Sequence, residues 1–443
     1  MTTTDFPRID GPEEPGGVVA MEDCPSEDLI RHLSARRHEP DWMLRHRLLG
    51  LERLHSEGVP SWAGFLRDVD FGGIVESQGE SSFASDVDRD ASLVPALGAL
   101  ESSEEAYRAV RQDLESRGIQ FFGLTTALRT IPDILRRHFA SVIPADDDPV
   151  AALNAALWTE GSFLYVPPGV SVAVPLQAEI REDYAKVEPF ERNVIVADRG
   201  AELTYIEGCT APVYTPDQLH VSAIEVVALP GSNVHYIALQ NFSKKVDNLV
   251  TKRAKVHEDA SLEWVDVNLG SRRTRKVPQA DLVGPGASAE FVGIAFAGKT
   301  QHQDVGAEMA HLAPHTRSHI VNHGIVQKGG RASLRSGVRV AAGAFRVASS
   351  VEWSSLMLDS ESRAETVPAI EVDEADAEIV QQGQVRKVGE EMLFYMASRG
   401  VTPDEAIRMV VLGIAGVVTG RIPVEYAVEV DRLLELELGG GVG

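Results

Sequence analysis

"GAELTYIEGCTAP" (residues 200–212) sets a turn residue and a small residue ahead of alternating apolar and polar positions, and three later stretches repeat it. They are "GSNVHYIAL" (231–239), "DASLEWVDV" (259–267) and "GASAEFVGI" (286–294), whose starts lie 31, 28 and 27 residues apart. A weaker fifth copy, "GGRASLRSGVRV", begins at Gly329. A unit with one short apolar face cannot bury that face alone, but stacked units can. Alternation repeated at near-constant spacing therefore predicts a β-solenoid from about residue 160 to 385. A β-sandwich has the same short strands, but nothing in it demands constant spacing.

The chain has 443 residues, too many for one ordinary core, with 44% hydrophobic and 24% charged content. Net charge is −24, so no basic field speaks for nucleic acid or an anionic membrane. No run of 18 apolar residues offers a membrane span. Met1–Glu22 is acidic and Pro/Gly-rich, without the basic and apolar segments of a secretory signal, which predicts a cytoplasmic protein.

Both flanks read as helical. Ser26 followed by Glu27 and Asp28 caps an apolar-periodic stretch that runs to Gly58 with a break at Pro40. Further helices are predicted over 103–117 and 125–141, the latter broken near Pro132, with a Gly/Ser/Asp-rich loop at 69–96. At the other end "VGEEMLFYMASRG" stops at Gly400, Thr402 and Pro403 start a second helix, and an apolar stripe follows Pro423. The expected organisation is a disordered acidic segment 1–24, a helical region 25–158, a β-helix 159–386 and a helical region 387–438.

Only two cysteines are present, Cys24 and Cys209, too few and too far apart for a disulfide framework. A lone cysteine is most often a small buried hydrophobe. Cys209, between Gly208 and the Pro212 turn, is also open to being a thiol held at a bend for reaction.

Many stretches, in one order, resemble the SufB/SufD family of the SUF iron–sulfur cluster assembly system. They include "EPDWMLRHRLLGLE", "PSWAGFLRDVDF", "ALNAALWTEGSFLYVPPGVSVAVPLQA", "FERNVIVADRGAELTYIEGCTAP", "IAFAGKTQHQDVGAEMAHLAPHT" and "GEEMLFYMASRG". "YIEGCTAP" and "TKRA" are of the SufB type. The resemblance implies a mainly β fold, a right-handed parallel β-helix flanked by N-terminal and C-terminal α-helical regions. It implies a scaffold subunit that is not itself an enzyme. Its partners would be a SufC-type ABC ATPase docked on the C-terminal helices, a SufD or SufB paralogue, and a sulfur donor protein. A transient iron–sulfur cluster would be the cargo, and reduced flavin is associated with such complexes. No cofactor is expected to be needed for folding. No G-x-x-x-x-G-K-[ST] loop is present, in keeping with nucleotide chemistry residing in the ATPase.

By the same resemblance Cys209 is the candidate sulfur acceptor and cluster ligand, with Arg181, Gln240 and Lys252 along the sulfur path. A cation beside a thiol favours the thiolate or persulfide anion. Alone, Lys252 and Arg181 each read as a solvated strand face, a reading that weakens for the set. The chain also departs from the family. Where SufB carries a second cysteine, "EWSSLMLDS" has Trp353, and the Glu-His-Glu positions are Val380, Gln381 and Gln382. Tryptophan and glutamine do not ligate such clusters. A SufD-like structural subunit without a cluster is therefore the alternative reading.

A reading of another class uses the five histidines His302, His311, His315, His319 and His323 in a β-helical metal-dependent enzyme. On a strand, a four-residue spacing spans about 13 Å, too far for one ion, while Pro314, Ile320 and Val321 disfavour a helix. His302 and His311, inside the family-like strings, are the weak metal candidates; polar strand faces are the default.

Overall fold

The computed structural model describes residues 18–19, 25–60, 63, 66, 69–73, 93–95, 112–179, 190–210 and 218–439. Two long sheets face each other as a parallel β-solenoid of about seven turns, with helices toward both ends of the chain. The first sheet stacks Glu202–Thr210, Asn233–Phe242, Ser261–Gly270, Ser288–Ala297, Arg317–Val326, Val347–Met357 and Ala377–Lys387. The second stacks Phe190–Ala197, Gln218–Ala228, Val246–Val256, the pair Arg273–Lys276 and Gln279–Leu282, His302–His311, Arg331–Val340 and Arg363–Val372. At the start of the stack two short strands pair antiparallel instead, Leu93–Pro95 on Leu176–Glu179 and Gln120–Gly123 on Ser162–Val166.

Register is what makes the core. Tyr205, Tyr236, Trp264, Phe291, Ile320 and Val351 are successive Cα partners and form one buried column inside the solenoid. The next residue along each strand points outward, yet Ile237, Val265, Val292 and Val321 are buried as well. Helices Pro403–Thr419 and Val424–Leu438 cover that outer face with Val411, Ala415, Val418, Val430 and Leu434. Thr402 and Glu405 close a capping box at the start of the first of these helices. Between the two helices, Arg421 reaches Glu263 at 2.5 Å and Glu290 at 2.8 Å on neighbouring strands.

One column of turns sets the rise. Gly200, Gly231, Asp259, Gly286, His315 and Arg346 all have positive φ. The amide of each donates to a carbonyl in the following turn, as Gly200 to Pro230, Gly286 to Pro314 and His315 to Phe345. The four sequence repeats are consecutive rungs of the first sheet. The fifth repeat expected at Gly329 belongs elsewhere: Arg331–Val340 is in the second sheet, and the true fifth rung is Arg317–Val326. His315 stands there in the left-handed position that glycine holds in other turns, so the turn carries no glycine signal.

Of the N-terminal segment expected to be disordered, the described residues are Val18–Val19, paired antiparallel with Val59–Pro60. Helices Glu27–Arg36, Asp41–Glu57, Leu124–Thr130, Pro132–His138 and Pro149–Leu157 pack against the first turns. A buried carboxylate helps to join the two regions. Glu225, on Gln218–Ala228, accepts the amide protons of Ala140, Val142 and Ile143 at 2.9, 2.9 and 3.0 Å. Arg192 donates to Glu225 at 2.7 Å and to the Ile143 carbonyl at 2.7 Å. Both side chains are fully buried.

Two outcomes are expected. Glu225→Ala strands the buried Arg192 charge and three amides, so denaturant unfolding should show a loss of about 3–5 kcal/mol; a loss below about 1 kcal/mol would refute the staple. Glu290, hydrogen-bonded to His319 and Arg421, has its pKa lowered from the usual 4.5 to about 2. Its folded pKa lies below the unfolded one, so its contribution is present above pH 4.5 and fades toward pH 2. Glu290→Gln should flatten the acid limb of stability in that window and, because Glu290 is what raises the His319 pKa, should also reduce the loss of stability as pH rises above 6.5.

Candidate functional site

Inside the solenoid the apolar columns give way to polar ones near residues 205–280. Lys252 and Asp266 are both 0% exposed. Lys252 Nζ lies 3.0 Å from Asp266 Oδ1, and Lys276 Nζ lies 3.2 Å from Asp266 Oδ2. The Lys252 ammonium also sits 4.0 Å from the centroid of the Tyr236 ring, a cation–π contact within the apolar column. Gln240 Nε2 reaches Ser271 Oγ at 3.4 Å. His220 pairs with Asn248 at 2.7 Å through Nδ1 and faces Glu191 at 3.4 Å.

The charges follow from these neighbours. Burial alone would raise the Asp266 pKa, but Lys252 and Lys276 outweigh it and hold the carboxyl below its usual range. Burial pulls the Lys252 pKa down by more than Asp266 lifts it. Burial likewise raises Glu207, against the pull of Lys252, which favours its neutral form. Burial opposes a proton on His220, yet Glu191 beside it and the bond to Asn248 win, so its pKa is raised. Two lysine side chains thus share one buried carboxylate, next to Glu207, whose neutral form burial favours. A small anion entering this layer would meet two lysine side chains in a low-dielectric interior. A cavity with about the room of one water is bordered by Glu207, His220, Ser222, Gln240 and Lys276.

Cys209 is described by its backbone: it lies in Glu202–Thr210, with Gln240 as its Cα partner on the next rung. Gln240 and Lys252 both belong to the buried layer, whereas Arg181 lies outside the described residues. Sequence reasoning missed Asp266, Lys276, Glu207 and His220. The signal for Asp266 is its parity. It shares the face of Trp264 in "EWVDV", an inward position where an alternating strand places apolar residues.

The departed positions gather at the far end of the stack. Trp353 is the register partner of Gly383, and a Cβ on that glycine would sit 1.9 Å from the indole Cε2. The indole packs against the interior apolar cluster. The row Glu207–Ala238–Asp266–Gly293–Asn322 therefore ends under a tryptophan. Val380, Gln381 and Gln382 are exposed on the last strand.

The histidines do not converge. His302 and His311 occupy opposite ends of one strand, about 30 Å apart by strand rise. His302 Nε2 contacts Ser333 Oγ at 3.1 Å. His311 is held between Thr316 and Ser318 at 2.8 and 2.9 Å, and burial lowers its pKa to about 4. His315 is a turn residue with its ring edge-on to Phe345, and His319 pairs with Glu290. Among the described residues no three His, Cys, Asp or Glu side chains form a group able to hold a metal ion.

Comparison with known proteins agrees with this architecture. The family model described as the SufBD core domain, SUF system FeS cluster assembly, matches residues 181–414, and the SufBD protein N-terminal region matches residues 102–178. An iron–sulfur cluster assembly SufBD family protein of Staphylococcus haemolyticus is 39% identical over 449 residues, 97% of each chain. A protein of the same description from Staphylococcus aureus is 39% identical over 436 residues, 94% of each chain.

Asp266→Ala leaves two buried ammonium groups without their counter-charge and should cost about 3–5 kcal/mol in denaturant unfolding. Lys252→Met keeps volume and leaves Asp266 paired with Lys276, so it should cost clearly less. Equal losses would mean that the two lysines do not share this carboxylate.

Proposed function

The chain belongs to the SufBD family of the SUF iron–sulfur cluster assembly system, and from that premise we propose that it is a SufB-like scaffold subunit that takes persulfide sulfur on Cys209. The observation that carries this reading is the buried Lys252–Asp266–Lys276 group, with Glu207 beside it, on the rungs next to the Cys209 backbone. In the proposed step the Cys209 thiolate attacks the outer sulfur of a donor protein's persulfide. The donor S–S bond breaks, the donor thiolate leaves, and the new persulfide anion is stabilised by a lysine cation of this layer. The cluster is cargo in this scheme, completed with ligands that a partner brings.

The C-terminal helices are the proposed dock for a SufC-type ATPase. Phe394, Tyr395 and Met409 are 78%, 56% and 57% exposed there, an apolar set on the side of the molecule that the solenoid does not cover. A SufD or SufB paralogue is proposed to pair with the last rung, whose strands Arg363–Val372 and Ala377–Lys387 end both sheets and expose Ile370, Val380 and Val385. One observation favours the second reading, a SufD-like structural subunit without a cluster. Trp353 lies over Gly383 at the end of the interior row, where the family's second cysteine would stand.

Anaerobic incubation of the complex with a cysteine desulfurase and radiolabelled cysteine separates the two. Scaffold function requires a reducible label on the chain that Cys209→Ser abolishes while the ATPase still co-purifies. An unlabelled wild-type chain that retains the ATPase would leave the structural reading standing. In the same preparations, Phe394→Asp with Tyr395→Asp should release the ATPase and leave the fold unchanged by circular dichroism.

A further inference from the structure

A cleft of about 310 Å³ opens where helix Asp41–Glu57 meets helix Pro132–His138 and the turn after it, far in sequence from the polar interior. That volume is at the lower end of the range for small-molecule sites. Its wall is aromatic. The Trp42 and His46 rings stand edge-on to Phe139, at centroid separations of 5.8 and 5.2 Å. Leu49, 46% exposed, extends the apolar surface. The remaining lining is cationic: Arg45 and Arg136, both exposed, come from the two opposing helices. Neither makes a carboxylate ion pair with another described residue, in a chain whose net charge is −24. Among the described residues, two arginines and no acidic residue line this cleft, although the chain as a whole is strongly acidic.

His46 adds a second, independent observation. Its Nε2 is buried and has no hydrogen-bond partner. Buried polar atoms are seldom left so, and His46 is one of the residues that line the cleft. Burial, followed by the nearby guanidinium groups of Arg192 and Arg47, keeps the ring neutral. It therefore offers one directed hydrogen bond and no charge.

We propose that this cleft binds a small organic anion with a planar apolar body. The flat part would lie against Trp42, Phe139 and Leu49, the His46 Nε2 would take a polar substituent, and Arg45 and Arg136 would close on the acidic group. Arginine suits this role because its planar fork matches carboxylate and phosphate oxygens and stacks on aromatic faces. The site is separate from the Cys209 layer, and its occupancy does not depend on sulfur transfer.

The test uses the full-length chain and two probes that share one ring system, 1-naphthyl phosphate and neutral 1-naphthol, titrated by calorimetry. Wild type should bind one equivalent of the phosphate, at least about tenfold more tightly than the naphthol. Arg45→Ala with Arg136→Ala, both surface changes, should cost that advantage and leave the naphthol affinity unchanged. Trp42→Phe should remove the tryptophan fluorescence response to the phosphate. The proposal is overturned if the phosphate shows no saturable binding, if the two probes bind equally, or if the double variant binds the phosphate as wild type does.

Discussion

The fold depends on one repeated interaction: each rung satisfies its backbone hydrogen bonds on the rungs before and after it, in parallel and in register. Among the described residues no strand pairs with its immediate sequence neighbour in the other sheet, so the apolar faces inside the solenoid are buried by stacking, while the C-terminal helices cover part of the outside. Like positions then pile into columns, and a column must be chemically compatible along its length. The run from Tyr205 through Trp264 and Phe291 to Val351 meets this condition with apolar side chains. The lysines and carboxylates around Asp266 meet it with opposite charges. A solenoid that must bury charge has few ways to do so, and pairing Asp266 with lysines across the narrow interior between the two sheets is one used here.

This explains what the sequence disclosed. The solenoid was readable because three of the turns carry glycine, at Gly200, Gly231 and Gly286, and Asp259 tolerates the same left-handed backbone. The count failed at His315 and Arg346, which hold the same conformation without a glycine, so the last rungs lost their punctuation. The C-terminal helices were legible from the Thr402 and Pro403 start and the Gly400 stop, all local signals. The Glu225 staple was not. It links amides at 140–143 to a strand more than eighty residues away, and no local pattern marks a glutamate for that purpose.

The candidate site was half legible for the same reason. Gln240 and Lys252 came from family-like strings, and their burial together needs the register of two sheets. Asp266 is the partner that makes Lys252 tolerable in the interior, yet it lies on the opposite sheet. Trp353 read as a lost ligand. In three dimensions it is half of an interlock with Gly383, where a side chain at 383 would collide with the indole.

The two ends of the stack differ. The first turns are closed by strands of three and four residues running the opposite way, with helices packed around them. The last turn ends in two strands of ten and eleven residues whose outer edges have no partner among the described residues. A rod sticky at both tips would grow into a fibre. Among the described residues, the rod offers a single open end for edge-to-edge pairing, so growth by that route would stop once two such ends had met.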